Sequence, residues 1–299
     1  MRFLILFSLI FFTQGGPSID LSDTAQVVPQ EAIDYINAIQ NSWIASNIWV
    51  QNMTIKQAKT YTSSSNPDTN YPEKNWGNLL NYFTAPLSFD SRIQWPTCIH
   101  PIRDQGKCGS CWAFAASEAL SDRLCIAGGP NIVLSPQWLI DCDTQSSGCN
   151  GGVSIKAWQF MMSTGIVADS CVPYIGVDSL CPSICTGSGG STRYYATSAY
   201  MFTNPTSIQA EIISSGPIGA TFTVYQDFMS YKSGVYVHTW GNVVGGHAVK
   251  MLGWGVLGTQ NYWICANSWG TNWGMQGFFY IAFGQCGIDS SCTGGNAKV

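Results

Sequence analysis

The sequence has few charged residues, and no cluster of charges of one sign. Asp, Glu, Lys and Arg together make up only 10% of the 299 residues, and the formal net charge is −4. Proteins that bind nucleic acids or anionic membranes usually carry clustered positive charge. Because no run of Lys or Arg is present, we expect neither partner. Hydrophobic residues make up 45% of the chain, which is enough for a sizeable core.

Histidine is also scarce, which bears on metal binding. The three histidines, His100, His238 and His247, are far apart in the sequence, and there is one Cys-x2-Cys pair, Cys108 and Cys111. Zinc sites usually combine paired Cys-x2-Cys clusters with histidines at short spacing. The twelve cysteines therefore favour disulfides in an oxidising compartment, and we predict no metal and no cofactor.

No apolar stretch is long enough to span a bilayer. The N-terminal one, Phe3–Phe12, follows a single positive charge at Arg2 and is followed by small and polar residues. This order is typical of a secretory signal peptide, which we place at residues 1–16. We therefore expect a protein of the secretory pathway, either in a lysosome-like vacuole or secreted, and without a membrane anchor.

Cysteine is absent from residues 17–86, whereas residues 87–187 contain nine of the twelve. Within the cysteine-free part, residues 28–50 carry apolar side chains near helical spacing and predict a helix. Residues 63–71 are rich in Ser, Asn and Pro and predict an exposed loop. A helical segment without cysteine that precedes a cysteine-rich domain indicates a removable pro-segment. The alternative is an ordinary N-terminal subdomain.

The most distinctive stretch is Gln105–Phe114, which reads Gln-Gly-Lys-Cys-Gly-Ser-Cys-Trp-Ala-Phe. Cys111 stands where a glycine-rich turn gives way to a predicted helix at residues 112–124. A thiol at a helix N-terminus lies near free backbone N–H groups and the positive end of the helix dipole, and both favour the reactive thiolate. Gln105 is six residues upstream, so its amide and the Cys111 backbone N–H are candidates for an oxyanion hole.

A thiolate nucleophile needs a basic or cationic partner. His247 follows two glycines and begins a β-type run, and the residues alone favour it, although His100 and His238 stay open. Asn267 carries an amide that can fix the orientation of a histidine ring, and Trp269 could shield such a hydrogen bond from water. The alternative for Asn267 is an ordinary turn asparagine.

The pattern of secondary structure changes within the cysteine-rich part. Residues 87–194 are mainly helical with long loops, including a helix that begins with Ser135 and Pro136 and another at residues 154–163. Residues 195–299 have a short helix at 208–214 and then β-type runs separated by turns. These runs lie at residues 218–225, 234–238, 247–253, 261–266 and 277–282. We expect an antiparallel, barrel-like sheet and an α+β protein with its site between two lobes.

The stretch around Cys111 is similar to the active-site segment of papain-family cysteine proteases. Residues 87–98 and 102–106 resemble the cathepsin B-like members in particular, and the similarity runs from about residue 87 to about residue 294. The resemblance implies a papain-like two-lobe fold, with a helical left lobe at 87–194 and an antiparallel β-barrel-like right lobe at 195–299. It also implies an inhibitory pro-region at 17–86 and a cysteine endopeptidase made as a zymogen.

The resemblance assigns roles to individual residues. Cys111 would be the nucleophile, His247 its ion-pair partner, Asn267 the residue that orients the ring, and Gln105 an oxyanion donor. Substrate-binding positions would be Gly151, Gly152, Trp269, Ala248 and Ser291. The implied disulfides are Cys98–Cys125, Cys108–Cys149, Cys142–Cys181 and Cys171–Cys185. Cys286 would be a free thiol, and Cys265 and Cys292 are left as candidates for a further pair.

The same resemblance implies partners. These are protein and peptide substrates, the chain's own pro-region as an inhibitor, and inhibitors of the cystatin type. We expect a monomer.

Two departures from cathepsin B bear on specificity. Cathepsin B has an occluding loop, a disulfide-closed insertion with two adjacent histidines that caps one end of the cleft. Here only nine residues separate Cys171 from Cys181, and none is histidine, so we expect the loop to be missing and the enzyme to be an endopeptidase. Ser291 takes the position of an acidic residue in one substrate pocket, which predicts a preference for apolar side chains over arginine.

Two other functions compete with proteolysis. Cys108 and Cys111 form a Cys-x-x-Cys motif, which also occurs in thiol–disulfide oxidoreductases. However, the residues before Cys108 are polar and turn-like, and the surroundings of His247 and Asn267 would be unexplained. An inactive papain-like regulator is the second alternative, although such relatives usually lose the nucleophile.

Overall fold

The computed structural model describes residues 16–65 and 71–299. Residues 1–15 of the predicted signal peptide and residues 66–70 of the predicted loop therefore lie outside the described residues. Within the described ranges, no helix is both long and apolar enough to cross a membrane.

The described part of the chain contains seven α-helices and eleven strands. The helices are α1 (Gln30–Ile39), α2 (Ile55–Lys59), α3 (Ser91–Gln94), α4 (Cys111–Ile126), α5 (Pro136–Cys142), α6 (Ser154–Ser163) and α7 (Pro205–Ser215). The strands are β1 (Trp43–Ala45), β2 (Phe89–Asp90), β3 (Ile166–Val167), β4 (Arg193–Tyr194), β5 (Tyr200–Phe202), β6 (Ile218–Tyr225), β7 (Tyr231–Tyr236), β8 (Val243–Leu257), β9 (Gln260–Ala266), β10 (Phe278–Ala282) and β11 (Cys292–Gly294).

Helix α4 is the central element, because it contacts both halves of the molecule. Fourteen of its 16 residues, Cys111 to Leu124, are buried. It packs against α5 and α6 on one side and against β6 and β8 on the other. The alanines of this helix are small enough for both sides to approach closely, and Gly128, with φ of +86°, follows its C-terminus. Cys111 is thus held at the boundary between the two halves.

The other helices predicted after residue 87 agree with the structure in place, with small differences at their ends. The Ser135 side chain accepts a hydrogen bond from the Trp138 backbone N–H, and Pro136 is the first residue of α5. Helix α6 has the predicted bounds. Helix α7 is longer than predicted. The Ser207 backbone N–H donates to the Asn204 side chain, which caps the helix, and Pro205 is its first residue.

The large sheet has the strand order β1-β7-β10-β9-β8-β6-β11-β5, and β2 pairs with β8. All these pairs are antiparallel except β10 with β7, which is parallel. The prediction of an antiparallel barrel-like sheet is therefore corrected: within the described residues the sheet is mixed, and its end strands β1 and β5 do not pair to close a barrel. Strands β3 and β4 form a separate pair on the helical side.

Two hydrophobic cores correspond to the two lobes. The core of the helical side includes Trp112, Leu120, Leu139 and Trp158. The core of the sheet side is richer in aromatic rings, and it also takes up apolar residues from the beginning of the chain. Those residues are Val27, Val28, Ala32, Ile33, Ile36, Trp43, Ala45, Val50, Ile55 and Ala58. We call residues 16–65 and 71–86 the N-terminal segment.

The helix predicted at residues 28–50 is wrong in its second half. Helix α1 ends at Ile39, and β1 follows at Trp43. The Gln40 side chain accepts hydrogen bonds from the backbone N–H groups of Ser42 and Trp43, which turns the chain, and β1 then pairs with β7. Pairing with a distant strand thus overrides the helical spacing.

Four disulfides are present, with the pairing that the family resemblance implies. They are Cys98–Cys125, Cys108–Cys149, Cys142–Cys181 and Cys171–Cys185. Cys111, Cys265, Cys286 and Cys292 are free. The pairing of Cys265 with Cys292 that the sequence left open is therefore not formed, and the Cys292 thiol instead donates to the Ile288 carbonyl at 3.4 Å.

A buried charged cluster joins α4 to β8. The Lys250 ammonium lies 2.8 Å from Asp122 Oδ2 and 3.6 Å from Glu118 Oε2, and both carboxylates belong to α4. His100 Nδ1 lies 2.7 Å from the other oxygen of Asp122. Lys250 is only three residues from His247 in the same strand. The cluster therefore fixes the two lobes to each other close to the predicted catalytic residues.

We expect the substitution Lys250→Met to lower the free energy of unfolding by about 3–5 kcal/mol, because it leaves two buried carboxylates without their ammonium partner. Urea unfolding followed by tryptophan fluorescence measures the change. The same substitution at Lys232, which is exposed, is the control and should cost under about 0.5 kcal/mol. A loss below about 1 kcal/mol for Lys250→Met would contradict a structural role for the cluster.

Candidate active site

Cys111 is the first residue of α4 and is completely buried. Its side chain packs against Ala115 of the same helix and Ala248 of β8. Burial raises the pKa of the Cys111 thiol, and the nearby backbone N–H groups of Ala248, Ser63, Trp112 and Ser64 oppose that effect. In this arrangement burial favours the neutral thiol, although N–H groups that would stabilise a thiolate surround the sulfur.

His247 lies in β8 next to Ala248 and is held by Asn267. The His247 Nε2 atom is 2.7 Å from Asn267 Oδ1, and the same oxygen accepts a hydrogen bond from the Ser268 backbone N–H. Since Asn267 Oδ1 can only accept, His247 Nε2 carries the proton, and Nδ1 is the basic nitrogen of the neutral ring. Within the described residues Nδ1 is buried and forms no hydrogen bond of good geometry, and the next residue, Ala248, packs against the Cys111 side chain.

Trp269 covers the histidine–asparagine hydrogen bond. Its ring centroid lies 4.6 Å from that of His247, and its side chain is 1% exposed. Burial lowers the pKa of His247 to about 4, against the opposing effects of the hydrogen bond to Asn267 and of the Tyr61 carbonyl. Burial of the covered site therefore disfavours both the thiolate of Cys111 and the imidazolium of His247.

Hydrogen bonds hold both the oxygen and the nitrogen of the Gln105 side-chain amide. Ser268 Oγ donates to Gln105 Oε1 at 2.6 Å, so that the Nε2 end points the other way. Nε2 donates to the Cys108 carbonyl at 2.9 Å and to the Tyr61 carbonyl at 3.3 Å. A carbonyl oxygen from the N-terminal segment thus lies where Gln105 can donate a hydrogen bond.

Tyr174 connects the parts of this site on the helical side. Its hydroxyl donates to the Gln105 carbonyl at 2.6 Å and lies 2.9 Å from Ser110 Oγ. Because the tyrosine proton goes to the carbonyl, Ser110 is the donor in the second hydrogen bond. Tyr174 therefore ties the backbone of Gln105 to the residue that precedes the nucleophile.

The N-terminal segment runs through the cleft between the lobes. Ser64 N–H donates to the Gly246 carbonyl at 3.0 Å, Ser65 N–H to the Gly152 carbonyl at 3.1 Å, and Gly152 N–H to the Ser63 carbonyl at 3.2 Å. The segment therefore contacts the edges of both lobes at once.

The exposed loop predicted at residues 63–71 is thus corrected where the structure describes it, since Ser64 is only 5% exposed. The glycines are needed for this approach. A Cβ atom on Gly151, whose φ is +117°, would collide with the Ser63 carbonyl oxygen, and one on Gly246 would collide with that of Ser64.

Aromatic stacking holds the same segment over Trp269. The ring of Trp49 stacks on Trp269 with 5.1 Å between centroids and an angle of 8° between the planes. Tyr61 meets Trp269 edge-on at 5.9 Å. The indole that shields His247 is therefore itself covered from outside by the N-terminal segment.

The remaining predicted substrate position, Ser291, is buried and directly precedes β11. Its carbonyl accepts from the Thr221 N–H, and Thr221 pairs with Ala248 across β6 and β8. Ser291 Oγ is buried without a hydrogen-bond partner. The Asp289 carboxylate instead accepts from Trp263 Nε1 and the Gly284 N–H.

The two other histidines are held elsewhere. His100 Nδ1 lies beside Asp122, and His238 Nδ1 lies 3.1 Å from the buried carboxylate of Asp227. Cys108 is bonded to Cys149 and not to Cys111, so the Cys-x-x-Cys motif does not form a dithiol pair. No group of three or more metal-ligating side chains lies close together in residues 16–65 and 71–299.

Sequence reasoning missed Ser268, Tyr174 and Tyr61. Ser268 directly follows Asn267, and this adjacency was a usable signal, but its partner Gln105 is 163 positions away. Tyr174 lies three residues after Cys171 in a loop without a distinctive pattern. Tyr61 acts through its backbone carbonyl, which side-chain identity does not predict.

The comparisons with known proteins agree with this geometry. Residues 85–295 match the family model described as papain family cysteine protease. Cathepsin B-like cysteine proteinase 4 of Caenorhabditis elegans is 38% identical in an alignment 346 positions long that covers 100% of both chains. The solved structure of procathepsin B S9 from Trypanosoma congolense superposes with a TM-score of 0.87 at 34% identity, covering 92% of this chain and 100% of that one. The digestive procathepsin L2 of Tenebrio molitor larvae has a TM-score of 0.76 at 27% identity, with 89% and 88% covered.

Because the pKa of His247 is lowered while the N-terminal segment covers it, the equilibrium between the closed and the open cleft should depend on pH. While the segment is seated, the imidazole stays neutral down to about pH 4, whereas an imidazole in water has an ordinary pKa of about 6.5. Between these values the open state binds a proton that the closed state does not. Acidification from about pH 6.5 to about pH 4 should therefore favour opening by up to about 3 kcal/mol, with no effect from this group above that range.

Hydrogen exchange of residues 55–65 in the Cys111→Ala protein, which cannot react, measures this opening. We expect exchange to speed up as the pH falls through this window, after correction for the intrinsic rates. The matched control adds His247→Gln, which keeps an amide but does not titrate, and should flatten the dependence. Equal pH profiles for the two proteins would show that His247 does not couple pH to opening.

Proposed function

The chain belongs to the papain family of cysteine proteases and is cathepsin B-like, and from that membership we propose that it is an endopeptidase made as a secreted zymogen. The observation that carries this proposal is the arrangement of Cys111 at the start of α4 beside the strand of His247. Asn267 holds Nε2 of the ring, and Ala248, which follows His247, packs against the Cys111 side chain.

The proposed reaction uses the two residues in sequence. With the cleft open, His247 takes the thiol proton on Nδ1 and forms an ion pair with the Cys111 thiolate. The sulfur attacks the carbonyl carbon of the scissile peptide, and the C–N bond breaks as His247 gives its proton to the leaving amine. Water then attacks the thioacyl carbon with His247 as the base, which releases the new carboxylate and restores the thiol.

The negative oxygen of each tetrahedral intermediate needs fixed donors. Gln105 Nε2 already points into the cleft because Ser268 holds the other end of its amide. The Cys111 N–H, in the first turn of α4, has no acceptor within the helix. Two such donors would form the oxyanion hole, and the loss of one usually costs roughly 3–4 kcal/mol of transition-state stabilisation.

The N-terminal segment is the proposed inhibitor, and residues 17–86 are the proposed pro-region. Its Tyr61 carbonyl lies at the Gln105 amide, and Ser63–Ser65 lie between Gly152 and Gly246. The similarity to proform structures supports this assignment. Cleavage near residues 85–87 would leave a helical lobe at 87–194 and a β-rich lobe at 195–299.

We expect an epoxide inhibitor to label the processed enzyme once, at Cys111, and to abolish peptide hydrolysis. Cys265 and Cys292 are completely buried, and burial raises the pKa of the Cys286 thiol to about 12, so these thiols should not react. The unprocessed chain at neutral pH should resist labelling because its Cys111 is covered. Peptide mapping by mass spectrometry identifies the modified residue.

Cys111→Ala is the control, and it should lose both labelling and hydrolysis. Labelling without loss of hydrolysis, or hydrolysis by the Cys111→Ala protein, would contradict the proposed nucleophile.

The loop between Cys171 and Cys181 supports activity on internal bonds. Besides the contact of Tyr174 with Gln105 and Ser110, the Asp178 carboxylate accepts from the Cys149 N–H at 2.7 Å, and Gln137 donates to the Val177 carbonyl. These contacts bind the loop to the helical lobe. A loop that is short, without histidine and held in this way should not cap the cleft or bind a terminal carboxylate.

We therefore expect similar cleavage of matched peptides that end in a free carboxylate or in an amide. Neither end of the cleft would select for a charged terminus, so kcat/KM should differ by less than about threefold between the two forms. Mass spectrometry of timed digests follows the products. Stepwise release of dipeptides from the free-acid peptide alone would refute the proposal of an open cleft.

The pocket beside Ser291 should prefer apolar substrate side chains. Its serine carries no charge to pair with arginine, and the Asp289 carboxylate is engaged with Trp263 and Gly284. Of two peptides that differ only in Leu or Arg at the second residue before the cleaved bond, we expect faster hydrolysis of the Leu peptide. The variant Ser291→Glu should raise kcat/KM for the Arg peptide by about tenfold or more. Faster cleavage of the Arg peptide by the unmodified enzyme would count against this assignment.

Partners and location complete the proposal. Protein and peptide substrates, inhibition by cystatin-type proteins and a monomeric state follow from membership of the family. A route through the secretory pathway to a lysosome-like vacuole or to the exterior follows from the N-terminal sequence and from four disulfides. Size-exclusion chromatography with light scattering tests the monomer, and a stable dimer would contradict it.

A further inference from the structure

Strand β1 of the N-terminal segment extends the large sheet by one strand. Its residues pair antiparallel with β7, with Trp43 opposite Gly234 and Ile44 opposite Ser233. Two backbone hydrogen bonds of 2.7 Å flank the pair, from the Val235 N–H to the Ser42 carbonyl and from the Ser46 N–H to the Ser230 carbonyl. Because β1 ends the sheet, loss of the N-terminal segment would leave β7 as an edge strand with unpaired backbone groups.

The same edge has a binding site for an indole ring. Trp43 is 2% exposed, and its ring centroid lies 5.1 Å from that of Tyr236 and 6.2 Å from that of Tyr231. The indole Nε1 donates to the Val237 carbonyl at 3.0 Å. These three partners belong to β7 or the residue that follows it, and a fourth, Thr239 Oγ1, lies 3.4 Å from the indole Nε1. They would remain in place after the segment leaves.

The strand that fills this site needs little from its own segment. Its outer edge is closed by two side chains. Asn37 Nδ2 donates to the Ala45 carbonyl at 3.0 Å and the Ala45 N–H donates to Asn37 Oδ1 at 2.9 Å, while Gln40 Nε2 donates to the Trp43 carbonyl at 2.7 Å and the Trp43 N–H donates to Gln40 Oε1 at 3.0 Å. The chain before β1 is turned by Gln40. The contact with the body is otherwise made by backbone groups, the indole and one small residue, so many extended peptides could satisfy it.

We propose that in the processed enzyme this edge is a second binding site, which takes an extended stretch of a protein substrate that carries a tryptophan. The inference rests on the proposed removal of residues 17–86. The mode is addition of a strand to a sheet edge, in which the backbone supplies affinity and a side-chain pocket supplies specificity. The tryptophan occupies the place of Trp43, between Tyr231 and Tyr236, and donates to the Val237 carbonyl.

The N-terminal segment itself shows that one polypeptide can occupy this site and the cleft together. Residues 46–62, seventeen in number, join Ala45 at the edge strand to Ser63 in the cleft. A substrate bound at the edge through its tryptophan is therefore within reach of Cys111 over a similar length of chain. Binding at one site then raises the effective concentration of the same chain at the other.

The test compares matched synthetic substrates on the processed enzyme. Each contains a short cleavable fluorogenic sequence, a flexible Gly/Ser linker of about 20 residues, and the sequence of residues 40–46. In the control substrate the tryptophan of that sequence is replaced by alanine. The motif is placed before the cleavable sequence in one series and after it in the other, because the structure does not fix the order for a substrate. We expect kcat/KM to be about tenfold higher for the tryptophan form in at least one series, through a lower KM with kcat unchanged.

The enzyme offers a matched pair of variants. At Gly234, whose φ is +92°, a Cβ atom would lie 2.5 Å from the Ser42 carbonyl oxygen and 2.7 Å from Trp43 Cα. Gly234→Asn should therefore block strand addition, with asparagine chosen because it tolerates positive φ better than most residues. Gly258→Asn makes the same change at φ of +61° in a position with open space around it. The first variant should lose the tryptophan-dependent gain, and the second should keep it.

A third substrate, which consists of the short cleavable sequence alone, separates the possible failures. If the enzyme does not cleave this short substrate, the proposed function fails. If it cleaves the short substrate well but shows equal kcat/KM for the tryptophan and alanine forms in both series, the second site is refuted. The comparison between substrates uses the unmodified enzyme, so it decides the matter even if Gly234→Asn does not fold. A gain that survives in a folded Gly234→Asn enzyme would also overturn the assignment to this edge.

Discussion

The contact between the start of α4 and strand β8 is the constraint on which the rest of the structure depends. Neither lobe contains a complete site, because the thiol of Cys111 comes from the helical side and the imidazole of His247 from the sheet. The contact is close because Ala115 and Ala248 are small. It is also held in register by the buried ions of Lys250, Asp122 and Glu118. Chemistry at a boundary of this kind requires that the two lobes be rigidly joined and that the cleft stay accessible.

The N-terminal segment binds both lobes and blocks access to the cleft between them. It covers the cleft with backbone hydrogen bonds to Gly152 and Gly246, and it stacks Trp49 on the indole that shields His247. Removing water from the site has an electrostatic consequence as well as a steric one. Burial raises the pKa of Cys111 and lowers that of His247, so covering the site disfavours the charged form of each. Inhibition and the chemistry it controls therefore depend on the same property of the site, which is its access to water.

The candidate site was largely predictable where its signal is local. Cys111 follows a turn and begins a helix, and Asn267 is followed by Ser268 and Trp269, so their types and neighbours were sufficient. The structure joins His247 to Asn267 and Gln105 to Ser268 by hydrogen bonds, and it packs Cys111 against Ala248, the residue after His247. Prediction failed where a distant partner decided the local conformation. The helix expected at 28–50 stops at Ile39 because β7 pairs with Trp43, and Ser64 is buried because both lobes bind its neighbours.

By itself, the sequence determined which residues are available for chemistry, how the elements follow one another, and which family the chain resembles. These properties depend on side-chain type, on spacing along a helix or strand, and on short motifs. Only the tertiary structure decided that the sheet is mixed and open, that Cys265 and Cys292 stay reduced, and that Ser268 orients Gln105 across 163 positions. The physical reason is that these features depend on distances between parts of the chain that are far apart in sequence, and composition and periodicity carry no information on such distances.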